Sequence, residues 1–238
     1  MADLNQQLAR TARGGAAAID AGLRAYMLRV YNYMALGLAL TGAVAFLTFS
    51  NPTFFQAIFG TPLAWVVMLA PLGFVMVLSF GIRRLSAGTA QILYWAFAGV
   101  MGLSLSTIFA AYAATDITRV FFITAASFGA LSLWGYTTQR DLTAMGSFLF
   151  IGLVGLIIAM LVNMFLRSSG LDFALSAVGV LIFAGLTAYD TQRIKNMYME
   201  GLDGEVVTKT AVMGALALYL DFINMFLMLL RLMGSNRS

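Results

Sequence analysis

The sequence predicts an all-α membrane protein with seven transmembrane helices, and three observations carry that prediction. Of the 238 residues, 61% are hydrophobic and only 10% are charged, whereas soluble domains average about 45–50% apolar and roughly 25% charged. The apolar residues gather into seven runs near the ~20 residues a helix needs to cross the hydrocarbon core. Turn-forming residues separate the runs.

Residues 1–29 are of mixed composition, with Gly14-Gly15 and a short alanine run, and read as a cytosolic tail. They are no secretory signal, because the first apolar run comes later and is too long; Ala43-Val44-Ala45 resembles a cleavage site but lies inside that run. The spans fall at about 30–49, 63–82, 90–113, 119–136, 145–166, 172–199 and 209–232. Asn51-Pro52, Thr61-Pro62, Ser86-Ala87-Gly88, Ala114-Thr115-Asp116, Ser168-Ser169-Gly170 and Gly201-Leu202-Asp203-Gly204 punctuate them. The fourth span is the shortest and begins at Arg119. One seven-helix domain, 30–232, thus follows the tail, and 233–238 form a short C-terminal tail.

Charge sets orientation, since Lys and Arg concentrate in cytosolic loops. With the N-terminus inside, Arg10, Arg13, Arg24, Arg29, Arg83, Arg84, Arg140, Arg193, Lys195 and Lys209 are cytosolic, and Arg119, Arg167, Arg231 and Arg237 are outside. The net charge of +4 therefore reports topology, and no nucleic-acid partner is expected. A faint repeat, Y-x-T-Q-R, ends the fourth span at Tyr136–Arg140 and recurs late in the sixth at Tyr189–Arg193.

There is no cysteine and no histidine. Disulfides, His-ligated zinc and His-dependent nucleophiles are excluded, so proton and cation chemistry falls to Asp, Glu, Tyr, Lys and Arg. Eight of the ten acids lie in the tail, in loops or at helix ends: Asp3, Asp20, Asp116, Asp141, Asp172, Glu200, Asp203 and Glu205. Only Asp190 and Asp221 sit at membrane depth, where an acid costs a few kcal/mol and needs a partner or water. If the sixth helix persists to Gly201 and the seventh starts near Thr210, each acid lies roughly 16 Å from the hairpin turn, and the two carboxylates share one level. Two carboxylates within a few ångströms cannot both ionise freely, and they titrate as a unit. They also form a hard oxygen site suited to calcium, with Tyr189, Tyr219 and Asn224 as supporting polar groups. Arg83 and Arg84, ending the second span, are within reach as salt-bridge partners; protonation or calcium would release the arginine. The bland reading makes Arg83 and Arg84 topological anchors and Asp190 a solvated helix end. Asn32 and Asn163 read as interhelical hydrogen-bond formers, and Gly99, Gly102, Ser104 and Ser106 as sites of close helix approach.

Ala217-Leu218-Tyr219-Leu220-Asp221-Phe222-Ile223-Asn224, followed by Leu229-Leu230-Arg231, resembles the last-helix signature of the Bax inhibitor motif family. Tyr189-Asp190 with Gln192 and Ile194-Lys195 resembles its sixth-helix signature, and Gly81-Ile82-Arg83-Arg84 the end of its second helix. The resemblance covers about residues 24–234, and the compact chain resembles the bacterial branch. It implies six helices surrounding a central seventh. It also implies a pH-sensitive calcium leak gated by paired aspartates, with Asp190 and Asp221 as sensor and calcium-binding pair and Arg83 as their arginine. Arg231 matches an arginine that pairs with a second-helix acid in some members, but here Leu63 to Ile82 carries no charge.

Two other readings compete. One is a non-conducting regulator of stress or membrane protein quality control, partnered by membrane proteins or a membrane protease. The other is an intramembrane aspartyl protease; it is disfavoured because Tyr219-Leu220 precedes Asp221 in place of presenilin-like glycines and no proline follows Pro71. The expectation is therefore no enzyme, no cofactor other than calcium as permeant or bound ion, the lipid bilayer as partner, and a bacterial inner membrane location.

Overall fold

The computed structural model describes residues 2–199, 201 and 203–235, with side chains from residue 21 onward. Glu200 and Arg237, and the side chains of Asp3, Arg10, Arg13 and Asp20, lie outside the described residues. Among the described residues there are nine helices and no strand: α1 (Ala2–Ser50), α2 (Pro52–Phe59), α3 (Leu63–Gly81), α4 (Ala87–Leu105), α5 (Thr107–Ala111), α6 (Ala114–Thr137), α7 (Thr143–Leu166), α8 (Ser169–Asn196) and α9 (Gly204–Met233). Seven spans are long and apolar enough to cross a membrane, with α4 and α5 together forming the third, Ala87–Ala111.

Local chemistry sets the boundaries. Asn51 accepts a hydrogen bond from the Phe54 N–H and Pro52 opens α2. Ser86 and Ser168 cap α4 and α8 through the Thr89 and Leu171 N–H groups, the role short hydroxyl side chains fill at helix starts. Thr143 donates its hydroxyl and backbone N–H to Asp141 at 2.6 and 2.9 Å, which holds that carboxyl below its usual range at the start of α7. Arg167, at φ 51°, turns the chain out of α7.

Three expectations change. Residues 21–29 are not tail: α1 runs through them without a breaker, and Tyr26 and Met27 are buried. The fourth span starts at Ala114, ahead of Arg119, because Ala113 already accepts the first helical N–H bonds from Asp116 and Ile117. The sixth span stops at Asn196, because Tyr198 folds back to pack its ring 5.7 Å from that of Tyr26.

The last helix is the most buried. Of its most apolar stretch 67% is buried, against 6% for α7. α1, α4, α6 and α8 pack directly on α9, while α3 leans on α4 and α7 on α8. The ring of six implied by the family resemblance is thus realised in direct packing by four helices, with α3 and α7 peripheral. Phe80, Phe148, Ile151 and Phe165 stand more than two-thirds exposed on those two helices, as expected of lipid-facing surfaces.

Inside, small residues and buried hydroxyls set the helix contacts, as is usual where hydrocarbon surrounds the bundle. A Cβ on Gly102 would lie 2.7 Å from the Thr41 carbonyl, which confirms close approach of α1 and α4; one on Gly99 would meet nothing within 4 Å. Gly135 lets α6 sit directly on the Ala188 backbone of α8. Thr41 donates to the Ala98 carbonyl at 2.8 Å, so the Tyr219 hydroxyl donates to Thr41 at 2.6 Å. By the same logic Thr191 donates to Thr187 O at 2.7 Å, Ser132 to Thr191 at 2.9 Å and Tyr31 to Ser132 at 2.5 Å. This directed chain joins α1, α6 and α8. The two asparagines do other work than expected. Asn163 bonds Ser168 N and O at 3.1 and 3.2 Å, closing its own turn, and Asn32 is exposed, its side chain making no hydrogen bond among the described residues.

Gly135→Ala places a methyl against backbone that cannot yield, and should destabilise the bundle by about 1–3 kcal/mol. Gly155→Ala, where a Cβ meets nothing within 4 Å, should not. Thermal unfolding of both variants in one detergent measures the difference.

Candidate functional site

α8 and α9 are antiparallel neighbours. Gly179 abuts Met228, and Gly214 abuts Ile194. That register sets Ala217 and Leu218 level with Asp190, and Asp221 one turn further along, roughly 5 Å. Helical side chains lean toward the N-terminus of their own helix, so on antiparallel helices Asp190 and Asp221 lean toward each other. Their carboxylates lie within side-chain hydrogen-bonding reach. The sequence predicts the meeting, but by a different route. α8 ends at Asn196 and α9 begins at Gly204, so the acids are not equidistant from the turn, and converging side chains close the offset.

The two acids have unequal surroundings. Asp221 is 5% exposed, and its Oδ2 is buried without a hydrogen-bond partner among the described residues. The Asp190 side chain is 14% exposed and receives Arg193 Nη1 at 3.4 Å. Arg193 is 53% exposed, so the pair joins a buried acid to a cation at the surface.

Both acids line a cavity of about 890 Å³ bounded by α3, α7, α8 and α9. It exists because α3 and α7 each have one major neighbour, α4 and α8, and leave a gap between them. Its wall on α7 is mostly apolar, with Phe150, Ile157 and Met160, and the polar groups are Ser147 on α7, Ser79, Asn224, Arg193 and the acids. A smaller cavity of about 210 Å³ shares Ser79, Asp190, Arg193, Ala217 and Leu220 with it, so these five residues stand between the two spaces.

The other expected site residues divide. Asn224 lines the larger cavity; its Nδ2 donates to Leu220 O at 2.8 Å, leaving Oδ1 for the cavity. Tyr189 lines it too, packed face-on over Gly146. Tyr219 does not. Two residues along a helix is a rotation of roughly 200°, which turns Tyr219 away from Asp221 and into the aromatic core beside Phe97, 5.1 Å between ring centroids. Arg83 is exposed and makes no ion pair among the described residues. The guanidinium at the acids belongs instead to Arg193, which the sequence signals by its i+3 spacing from Asp190 on one helix face. Arg231 finds an acid from α8, Asp172, at 3.9 Å, in place of the missing second-span acid; both groups are half-exposed, so the contact contributes at most about 1 kcal/mol.

The second copy of Y-x-T-Q-R is fully employed. Tyr189 and Asp190 face the cavity and Thr191 joins the hydroxyl chain. Gln192 donates to Arg140 O at 2.8 Å and accepts from Leu142 N at 2.9 Å, and Arg193 pairs with Asp190. Lys195, just beyond, donates to Tyr136 O at 2.8 Å. The two copies therefore meet at one end of the bundle.

Among the described residues no group of three or more His, Cys, Asp or Glu gathers to hold a metal. Calcium takes 6–8 oxygens, waters and neutral carbonyls included; two carboxylates with Asn224 Oδ1 and Ser79 could supply only part of such a shell, the rest falling to water.

A family model described as Inhibitor of apoptosis-promoting Bax1 matches residues 23–238. The chain is similar to a protein of Rickettsia prowazekii, 49% identical over 238 residues and covering 100% of both chains. It is similar to one of Caulobacter vibrioides, 44% identical over 250 residues and again covering 100% of both. The inner membrane protein YbhL of Escherichia coli is 44% identical over 220 residues, 91% of this chain and 94% of that one.

A buried carboxylate that faces a second acid and keeps one oxygen without a hydrogen-bond partner among the described residues is a burden on the fold. Asp221→Asn keeps the shape and removes the charge, so it should raise stability by about 1–3 kcal/mol, whereas Asp190→Asn, which also gives up its arginine contact, should raise it less. Detergent melting curves of the two variants check the order.

Proposed function

The chain belongs to the Bax inhibitor-1-like family described as Inhibitor of apoptosis-promoting Bax1, and on that footing we propose that it is a pH-sensitive cation leak channel with a preference for calcium, gated at the Asp190–Asp221 pair. It is a multi-pass integral membrane protein. Its place in this reading is the bacterial inner membrane with the N-terminus cytosolic, supported by the inner-membrane relative of Escherichia coli and by the arginine distribution.

One observation carries the reading: the two membrane-depth acids converge from neighbouring helices into one cavity, and one of them keeps an unpartnered buried oxygen. A cation crossing the bundle meets two carboxylates, Asn224 and Ser79, and carries part of its water with it. Calcium acts here as permeant ion, with no resident cofactor. Arg193 is the competing cation: while it holds Asp190, the acids are engaged. Protonation of the carboxylates, or arrival of calcium, loosens that hold.

The same dyad invites comparison with aspartyl proteases, which need two acids sharing one proton. Asp190 is engaged by the Arg193 guanidinium at 3.4 Å, a cation contact that supports ion handling over hydrolysis. The chain is therefore read as no enzyme. A non-conducting role in stress or membrane protein quality control stays the alternative, and the flux experiment separates it from the channel.

Purified protein in liposomes loaded with a calcium indicator should show flux that rises on acidification. Asp221→Asn should reduce flux about tenfold or more and flatten its pH dependence. Arg193→Gln should raise flux at neutral pH toward the acid value, while Arg83→Gln should leave the profile in place. Unchanged flux in Asp221→Asn ends the channel reading, and a large effect confined to Arg83→Gln returns the gating role to the second span.

A further inference from the structure

We infer that the groove between α1 and α6, on the side of the bundle away from the acidic cavity, binds one anionic phospholipid, its phosphate at Arg24 and an acyl chain along the groove. The cavity there measures about 630 Å³, and Arg24 is the one charged residue lining it. Its floor is made of the buried side chains Met27, Met34 and Phe128, and Leu28 and Leu133 stand exposed as its rims. Methionines suit a mobile chain, being unbranched and adaptable.

The dimensions select the occupant. The lining runs from Arg24 to Ala35 on α1 and from Tyr136 to Ala125 on α6. Each stretch is eleven residue steps, about 16 Å of axis, close to half of a ~30 Å hydrocarbon core. The groove therefore has the depth of one leaflet, with its cation at one mouth. Arg24 is exposed and has no ion pair among the described residues. It shares that end of the bundle with Lys195, whose Nζ lies 5.1 Å from the Tyr136 ring centroid, and with Arg140, whose carbonyl accepts from Gln192. A basic mouth on an apolar inter-helix groove complements an anionic headgroup. The polar floor is already satisfied, since Tyr31 and Ser132 spend their hydroxyl hydrogens within the α1–α6–α8 chain, which leaves the interior to apolar chain.

Gly129 supplies the clean test. It lines the groove, and a Cβ added there meets nothing within 4 Å, so a leucine projects into the groove without disturbing the helices. The full chain in detergent is incubated with phosphatidylglycerol and phosphatidylcholine of matched acyl chains, and retained lipid is counted by native mass spectrometry. Wild type should retain one phosphatidylglycerol about fivefold over phosphatidylcholine, the share of a single basic residue at an anionic lipid. Arg24→Gln should bring the two lipids to parity, and Arg119→Gln, an exposed residue at the far end of α6, should keep the preference. Gly129→Leu should lose both lipids while its melting midpoint stays at the wild-type value. Preference surviving in Arg24→Gln, or retention surviving in Gly129→Leu, overturns the assignment. So does a change of oligomeric state in Gly129→Leu, which would make the groove a seat for another helix. Since Arg24 lies on the surface, its variant decides the matter even if Gly129→Leu folds poorly. None of these outcomes bears on the acid pair.

Discussion

A carboxylate buried in a bundle that hydrocarbon surrounds has few places to send its charge, and Asp221 constrains much of what lies around it. It demands a second group within reach, and Asp190 arrives because the two helices are antiparallel and their side chains lean in opposing senses. It demands access for water or ions, and the gap between α3 and α7 supplies a cavity. The opposite face of the same helix takes the reverse solution. There Tyr219 is fully buried and bonded to Thr41, so α9 carries a sealed aromatic face and an open acidic face two residues apart.

α8 is the organiser of this arrangement. Over the five residues Tyr189–Arg193 it lines the cavity, supplies one acid, anchors the hydroxyl chain, clamps the α6–α7 connection and pairs its own acid with a cation. No residue of the segment serves packing alone. The contrast with Tyr136–Arg140 is instructive: there the backbone carbonyls of Tyr136 and Arg140 act as acceptors for Lys195 and Gln192. A similar string of residues thus offers side chains in one setting and backbone in the other, according to whether the helix continues or ends.

The spans were legible because length and hydropathy alone define a membrane helix, and the seven runs correspond to seven spans. Asp190 and Asp221 were legible because acids at membrane depth are rare and expensive. What escaped depended on rotation and on chain ends. Tyr219 is near Asp221 in sequence but on the other face. Arg193 reads in the sequence as one more cytosolic charge near the end of the sixth span, although its i+3 spacing from Asp190 points to the contact, because the partner role goes to Arg83. The early stop of α8 rests on Tyr198 meeting Tyr26, a contact 172 positions apart in the chain that no local pattern announces. The ring of six around the last helix came from family likeness, and packing places only four helices directly on α9.

The directed hydroxyl chain from Tyr31 through Ser132 and Thr191 to the Thr187 carbonyl has a mechanical consequence. Each hydrogen in it is committed, and breaking any link strands a polar group in an apolar interior. α1, α6 and α8 are thereby riveted into a chassis that also carries α9. α3 and α7 have one major neighbour apiece and no such rivets, so they are the hinged panels of the machine: the inexpensive way to widen the acidic crevice is to swing a panel and leave the frame untouched.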